Sequence, residues 1–108
     1  MNLWDQYTYR VFWSQEDGEF VGVCAEMSGL SWLDKNQEKA LRGIRNTVKE
    51  SLQILKQDGD PLPEALASRK YSGTFKVRVP PTVHRKLVVE AHEQGVSLNR
   101  LVSAKLAG

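Results

Sequence analysis

The sequence predicts an α+β protein in two parts: an N-terminal antiparallel sheet of three to four strands with one long helix, and a C-terminal strand-helix-helix arm completed by dimerisation. Three observations point there. Apolar side chains alternate with a period of two through residues 7–13 and again, without exception, through residues 74–79. Between these stretches a long segment repeats its apolar residues at helical spacing. Charge, finally, is divided along the chain: residues 1–68 hold seven Lys/Arg against eleven Asp/Glu, a net of −4, whereas residues 69–108 hold eight against two, a net of +6.

Tyr7, Tyr9, Val11 and Trp13 alternate with Thr8, Arg10, Phe12 and Ser14, which predicts a half-buried first strand. Glu16-Asp17-Gly18 supplies turn chemistry, because Asp and Gly tolerate positive φ, and Phe20 to Cys24 returns as the second strand. Gly29 breaks the chain before a third, Leu30 to Leu33. Asp34 or Asn36 then caps a helix whose apolar positions are Ala40, Leu41, Ile44, Val48, Leu52 and Leu55. Gly59 ends it and Asp60-Pro61-Leu62-Pro63 prevents its continuation, since proline lacks an amide donor and restricts the residue before it.

These signals divide the chain into residues 1–63 as one domain, residues 64–73 as a segment with room for a short helical turn that reads, through Ser68, Ser72 and Gly73, more as a flexible joint, and residues 74–108 as the arm. In the arm the strand Thr74 to Val79 is stopped by Pro80-Pro81. Pro81 suits the first turn of a helix carrying Val83, Leu87, Val88 and Ala91 on one stripe, with Gly95 as its C-terminal cap. Ser97 caps the last helix, whose apolar face is Leu98, Leu101, Val102 and Leu106, and Val96 with Leu101 has the spacing of a hydrophobic staple.

An arm of about 35 residues cannot bury enough apolar surface to stand alone, so it requires a second copy. Pairing the two strands as an antiparallel ribbon puts Phe75, Val77 and Val79 on a shared core with Leu87 and Leu101, and leaves Thr74, Lys76 and Arg78 outside. A two-stranded ribbon fits the major groove, where Arg makes bidentate contacts to guanine and Lys and Thr also reach base edges. The start of the last helix offers free amides with Ser97 and Asn99 for a phosphate oxygen, and Arg100 reinforces that contact.

The run Thr74 to Pro80, followed by Gly95-Val96-Ser97-Leu98-Asn99, resembles the ribbon-helix-helix repressors of the Arc and CopG type. That resemblance implies base reading by Thr74, Lys76 and Arg78, and a phosphate clamp at Ser97, Asn99 and the amide of Leu98. The N-terminal part, through Asp17-Gly18-Glu19-Phe20-Val21-Gly22-Val23-Cys24-Ala25-Glu26-Met27-Ser28-Gly29-Leu30 and the helix containing Ala40-Leu41, resembles the HicB antitoxin domain, a truncated ribonuclease-H-like fold. This second resemblance implies an antitoxin partnered by a small basic HicA-type toxin that cleaves messenger RNA. The acidic balance of residues 1–68 suits such a partner, and the expected contact surface is the hairpin and the long helix, with no individual toxin-binding residue identified.

Other function classes fit less well. A ribonuclease-H centre needs converging carboxylates, one of them on the first strand, and Tyr7 to Trp13 has none. Glu16, Asp17 and Glu19 read as a solvated turn, and His84 and His92, eight residues apart on a helix, stand about 12 Å from one another, too far for one metal ion. Trp4, Trp13 and Trp32 read as core or interface aromatics, and the single Cys24 as a small buried strand residue. No metal, cofactor or catalytic activity is expected. Apolar runs fall well short of the roughly 20 residues that cross a bilayer, and Met-Asn-Leu-Trp-Asp-Gln lacks the order of a signal peptide, so the expected setting is the cytoplasm. The expected assembly is a homodimer, or a tetramer built from dimers, on operator DNA. The alternatives are a stand-alone transcriptional regulator whose N-terminal domain senses a protein or small ligand, and a degenerate nuclease that retains some RNA binding.

Overall fold

The computed structural model describes residues 2–108. The chain divides into two compact units, the first ending at Tyr71 and the second spanning Ser72–Gly108.

In the first unit, strands β1 (Tyr9–Ser14), β2 (Glu19–Cys24) and β3 (Ser31–Asp34) form an antiparallel sheet in the order β1-β2-β3. Residues Val11, Gly22 and Trp32 are aligned across it, as are Phe12, Val21 and Leu33. The β1–β2 turn is closed by the Gly18 amide on the Ser14 carbonyl (2.8 Å), and Gly18 takes φ 64°, a conformation that glycine adopts without steric cost. The first strand starts two residues later than its alternation suggests. The Thr8 amide donates to the Glu26 carboxylate (2.8 Å) instead of to a neighbouring strand, and Tyr7 is buried with its hydroxyl on the Pro63 carbonyl. The third strand is displaced by one residue for a local reason: Leu30 closes a turn on the Met27 carbonyl (3.1 Å).

Helix α1 (Gln37–Gln57) lies on one face of this sheet. Asn36 is its cap, accepting the Lys39 amide (3.0 Å), and Asp34 supports the cap by accepting the Asn36 amide (2.8 Å). Ala40, Ile44, Val48 and Leu52 are buried, Leu55 is half-buried, and Leu41 is exposed. Gly43 completes the buried face, because the Trp32 indole occupies the space where a side chain would stand. On the sheet, Gly22 meets the Ala40 carbonyl and Ile44 in the same way, so two glycines set how closely sheet and helix approach. At its C-terminus Gly59 (φ 74°) donates to Lys56 and Asp60 donates to Leu55, the paired bonds of a Schellman ending.

The expected joint behaves differently over most of its length. Ala65 is buried in the core with Tyr7, Cys24, Ile44, Val48 and Leu52. Residues Leu66–Ser68 make a short 3-10 turn, the Leu66 amide donates to Glu26 (3.1 Å), and the Tyr71 hydroxyl donates to the Leu66 carbonyl (3.0 Å). The anchors come from residues 40 or more positions away, which is why a local Ser/Gly pattern does not show them.

In the second unit, α2 (Pro81–Gln94) begins with proline in its first turn and ends at Gly95, φ 67°, whose amide and that of Val96 close on His92 and Ala91. Helix α3 (Leu98–Ala107) is capped by Ser97, which accepts the Arg100 amide (3.0 Å). The two helices pack on each other around buried Ala91 and Leu101, with Lys105 on Glu90 at 3.2 Å. Residues 74–79, expected as a strand, are without a ladder partner among the described residues and are exposed throughout. A β-ladder needs two strands, and among the described residues this unit has no second extended segment to pair with them.

Candidate nucleic-acid interface

In the arm, residues 74–79 are exposed throughout, apolar and polar alike. Phe75, Val77 and Val79 open onto grooves shared with Leu98, Val102 and Leu106 of α3 and Leu87 of α2. Phe75 is 71% exposed and Leu106 67%, an apolar surface that water penalises and a second protein surface would cover. Of the five residues expected in a shared core, Leu101 is buried within the unit, Leu87 is half-buried, and Phe75, Val77 and Val79 are exposed. Thr74, Lys76 and Arg78, alternating with that apolar row, are exposed as well.

Ser97, Leu98, Asn99 and Arg100 come together in the first turn of α3. The first intrahelical bond runs from the Leu101 amide to the Ser97 carbonyl (3.0 Å), so the amides of Leu98 and Asn99 precede it and face the helix N-terminus. Ser97 Oγ accepts the Arg100 amide and retains a hydroxyl proton to donate. Oriented amides, the helix dipole and an exposed guanidinium at residue 100 together favour an oxygen anion there. Thr74 and Asn99 border the same groove as Phe75 and Val77, so one residue expected to read bases lies near one expected to hold phosphate. His84 borders the adjoining groove with Arg78, a position that the helical spacing of the two histidines did not indicate.

The first unit holds a different centre, built on Glu26. Its carboxylate accepts the amides of Thr8 and Leu66, the Thr8 hydroxyl (3.2 Å) and, at 3.6 Å, the Cys24 thiol. Partial burial by itself would raise its pKa, but the amides of Thr8 and Leu66 outweigh that effect and hold it below the ordinary carboxylate value. Burial pushes the Tyr9 phenol up to about 12, with its hydroxyl donating to the Trp4 carbonyl (2.7 Å), and burial also raises the Cys24 thiol. A raised thiol is a poor nucleophile, and these bonds join chain segments instead of converging on an open space, so the centre is structural in its chemistry. Glu26 stands in the Cys-x-Glu-x-x-Gly-Leu run, and that motif was the only sequence signal of its role.

Charge is also unevenly placed within the first unit. Helix α1 holds five Lys/Arg against Glu38 and Glu50, so the acidic excess belongs to the rest of the unit, including Glu16, Asp17 and Glu19 at the exposed hairpin. Arg45 is engaged by Asp5 and lies 5.3 Å from the Tyr9 ring, and Lys49 lies 5.3 Å from the Trp4 ring. Among the described residues no three His, Cys, Asp or Glu are grouped as metal ligands, and no helix is long and apolar enough to cross a membrane.

Comparison with known proteins adds one match. No curated protein and no solved structure matches the chain. Residues 62–106 match the model of the HicB family, a span of less than half the chain that takes in α2 and nearly all of α3 and supports a HicB-type reading of the arm.

Proposed function

We propose that the chain is the antitoxin of a toxin–antitoxin pair: its first unit covers a small, basic, HicA-type mRNA-cleaving toxin, and its arm pairs with a second copy to bind operator DNA and repress its own operon. It acts by binding in the cytoplasm and performs no catalysis. The observation that carries this reading is the arm, where Thr74, Lys76 and Arg78 alternate in sequence with Phe75, Val77 and Val79, all of them exposed, ahead of the capped start of α3 and within the span of the HicB match. The ribbon-helix-helix pairing supplies the partner for the apolar row and turns the cationic row outward. On the first unit the acidic hairpin suits a basic toxin better than α1, whose own charge is positive.

Co-expression with the small basic protein encoded beside it tests the proposal. The two are expected to purify together, the neighbour's toxicity to be relieved, and the complex to shift a fragment of its own promoter. A second reading is a stand-alone regulator, favoured by the start of the family match at Leu62, which leaves the sheet and α1 outside it. Promoter binding without any partner in the neighbouring frame would establish that reading instead.

A further inference from the structure

The outer side of α2 takes no part in the interface described above. Thr82, Arg85, Val89 and Glu93 follow one another at spacings of three or four and share one stripe, flanked by Lys86 and Glu90, and these six residues line one shallow concavity. Val89 stands at its centre, 48% exposed. Leu87 and Ala91, the more shielded residues, lie on the opposite side of the helix. The stripe has a basic end and an acidic end. Arg85 stands four residues before Val89 and Glu93 four residues after it, about 6 Å to either side at roughly 1.5 Å per residue. Neither is in an ion pair among the described residues, whereas Glu90 is held by Lys105.

This pattern is its own complement. A two-fold axis through Val89 lays the stripe antiparallel on a copy of itself, so that valine meets valine and each Arg85 meets the Glu93 of the other copy. A parallel arrangement would set like charges together, so the charge order selects one orientation. We propose that the outer stripe of α2 is an isologous contact between two copies of this chain, separate from the contact expected at Phe75, Val77 and Val79. One helix against one helix buries far less than the roughly 1,200 Å² of a stable interface, so this contact is weak and salt-sensitive on its own. It becomes effective where copies are already held side by side, as on adjacent sites of one DNA, because tethering raises their effective concentration. Only that last consequence rests on the DNA-binding reading.

Sedimentation equilibrium of the full chain at low and high salt tests the contact. Low salt is expected to reveal an association step that R85E and E93R each weaken by about tenfold, since two exposed ion pairs become repulsive. The double variant R85E/E93R is expected to regain it. So is an equimolar mixture of the two single variants, in which each chain supplies the charge that the other lacks. An association step indifferent to both single variants, a double variant that fails to recover, or a mixture that stays apart would each overturn the proposal. Circular dichroism of every variant guards against misfolding. Should V77D abolish arm pairing, the same charge response remains measurable between single chains, so failure of the arm and failure of this contact are distinguishable.

Discussion

The carboxylate of Glu26 accepts the Leu66 amide at 3.1 Å while its other oxygen accepts the Thr8 amide at 2.8 Å, joining the segment after α1 to the start of β1. Glu26→Ala would leave both amides without their acceptor. An expected loss of about 1–2 kcal/mol, measured by urea unfolding at neutral pH, follows from the lost charge-assisted hydrogen bonds, chiefly that to the part-buried Leu66 amide, since water can reach the exposed Thr8 amide. Cleavage by a nonspecific protease within residues 62–71 should accelerate in parallel, because Ala65 and Leu66 lose their anchor.

The same carboxylate makes stability depend on pH. Its folded pKa lies below the ordinary value of 4.5, so the unfolded chain takes up a proton first as acid is added. The contribution is therefore fully present above about 4.5 and disappears as pH falls through the lower folded value. Thermal melts of the wild type and Glu26→Gln should differ most at neutral pH and converge in acid. A gap that stays constant to pH 3 would remove Glu26 as its source.

Gly22 and Gly43 predict a ranking. At Gly22 a Cβ would lie 2.7 Å from the Ala40 carbonyl oxygen, and that backbone belongs to α1 and cannot step aside alone. At Gly43 it would stand 2.1 Å from the Trp32 indole, a closer approach, but the obstacle is one side chain, 44% exposed, whose whole ring has solvent to turn into. Alanine also gains about 1 kcal/mol of helix propensity at position 43. Gly22→Ala is expected to cost about 1–3 kcal/mol, the usual range for overpacking, and Gly43→Ala clearly less. Equal melting temperatures for the two variants would contradict this ranking.

Periodicity made the three strands and α1 readable from sequence, because each presents one face to a core and repeats apolar residues accordingly. Caps at Asn36 and Ser97, and the glycine endings at Gly59 and Gly95, were readable because each needs a particular residue type. What the pattern could not show was long-range satisfaction. Tyr7 looks like another strand position until the Pro63 carbonyl is placed against its hydroxyl, and Ser68 and Ser72 look like a joint although Ala65 nearby is 2% exposed. In the arm the residue alternation marks Thr74, Lys76 and Arg78 clearly, yet a ladder needs a second strand, and the described residues of that unit supply none.

If the outward row reads bases, Arg78→Ala should weaken operator binding by about 1–3 kcal/mol, the worth of a bidentate contact to guanine. Arg78 forms no ion pair among the described residues, so its removal breaks none in the arm. Gel-shift titration against the operator and an unrelated duplex separates the roles. A loss confined to the operator marks base reading, and an equal loss on both marks a phosphate contact.

Cleaving the chain after Tyr71 should isolate the two tasks. The Tyr71 hydroxyl closes on the Leu66 carbonyl at 3.0 Å, so a truncation at Tyr71 keeps the anchored segment that a cut at Ser68 would fray. Residues 1–71 retain the sheet, α1, Ala65 and every Glu26 contact, and are expected to fold as a cooperative unit. They should still hold the basic partner and relieve its toxicity, while operator binding disappears with the arm. Retained folding with lost neutralisation would move part of the toxin surface onto the arm, and operator binding by residues 1–71 alone would separate DNA recognition from the ribbon.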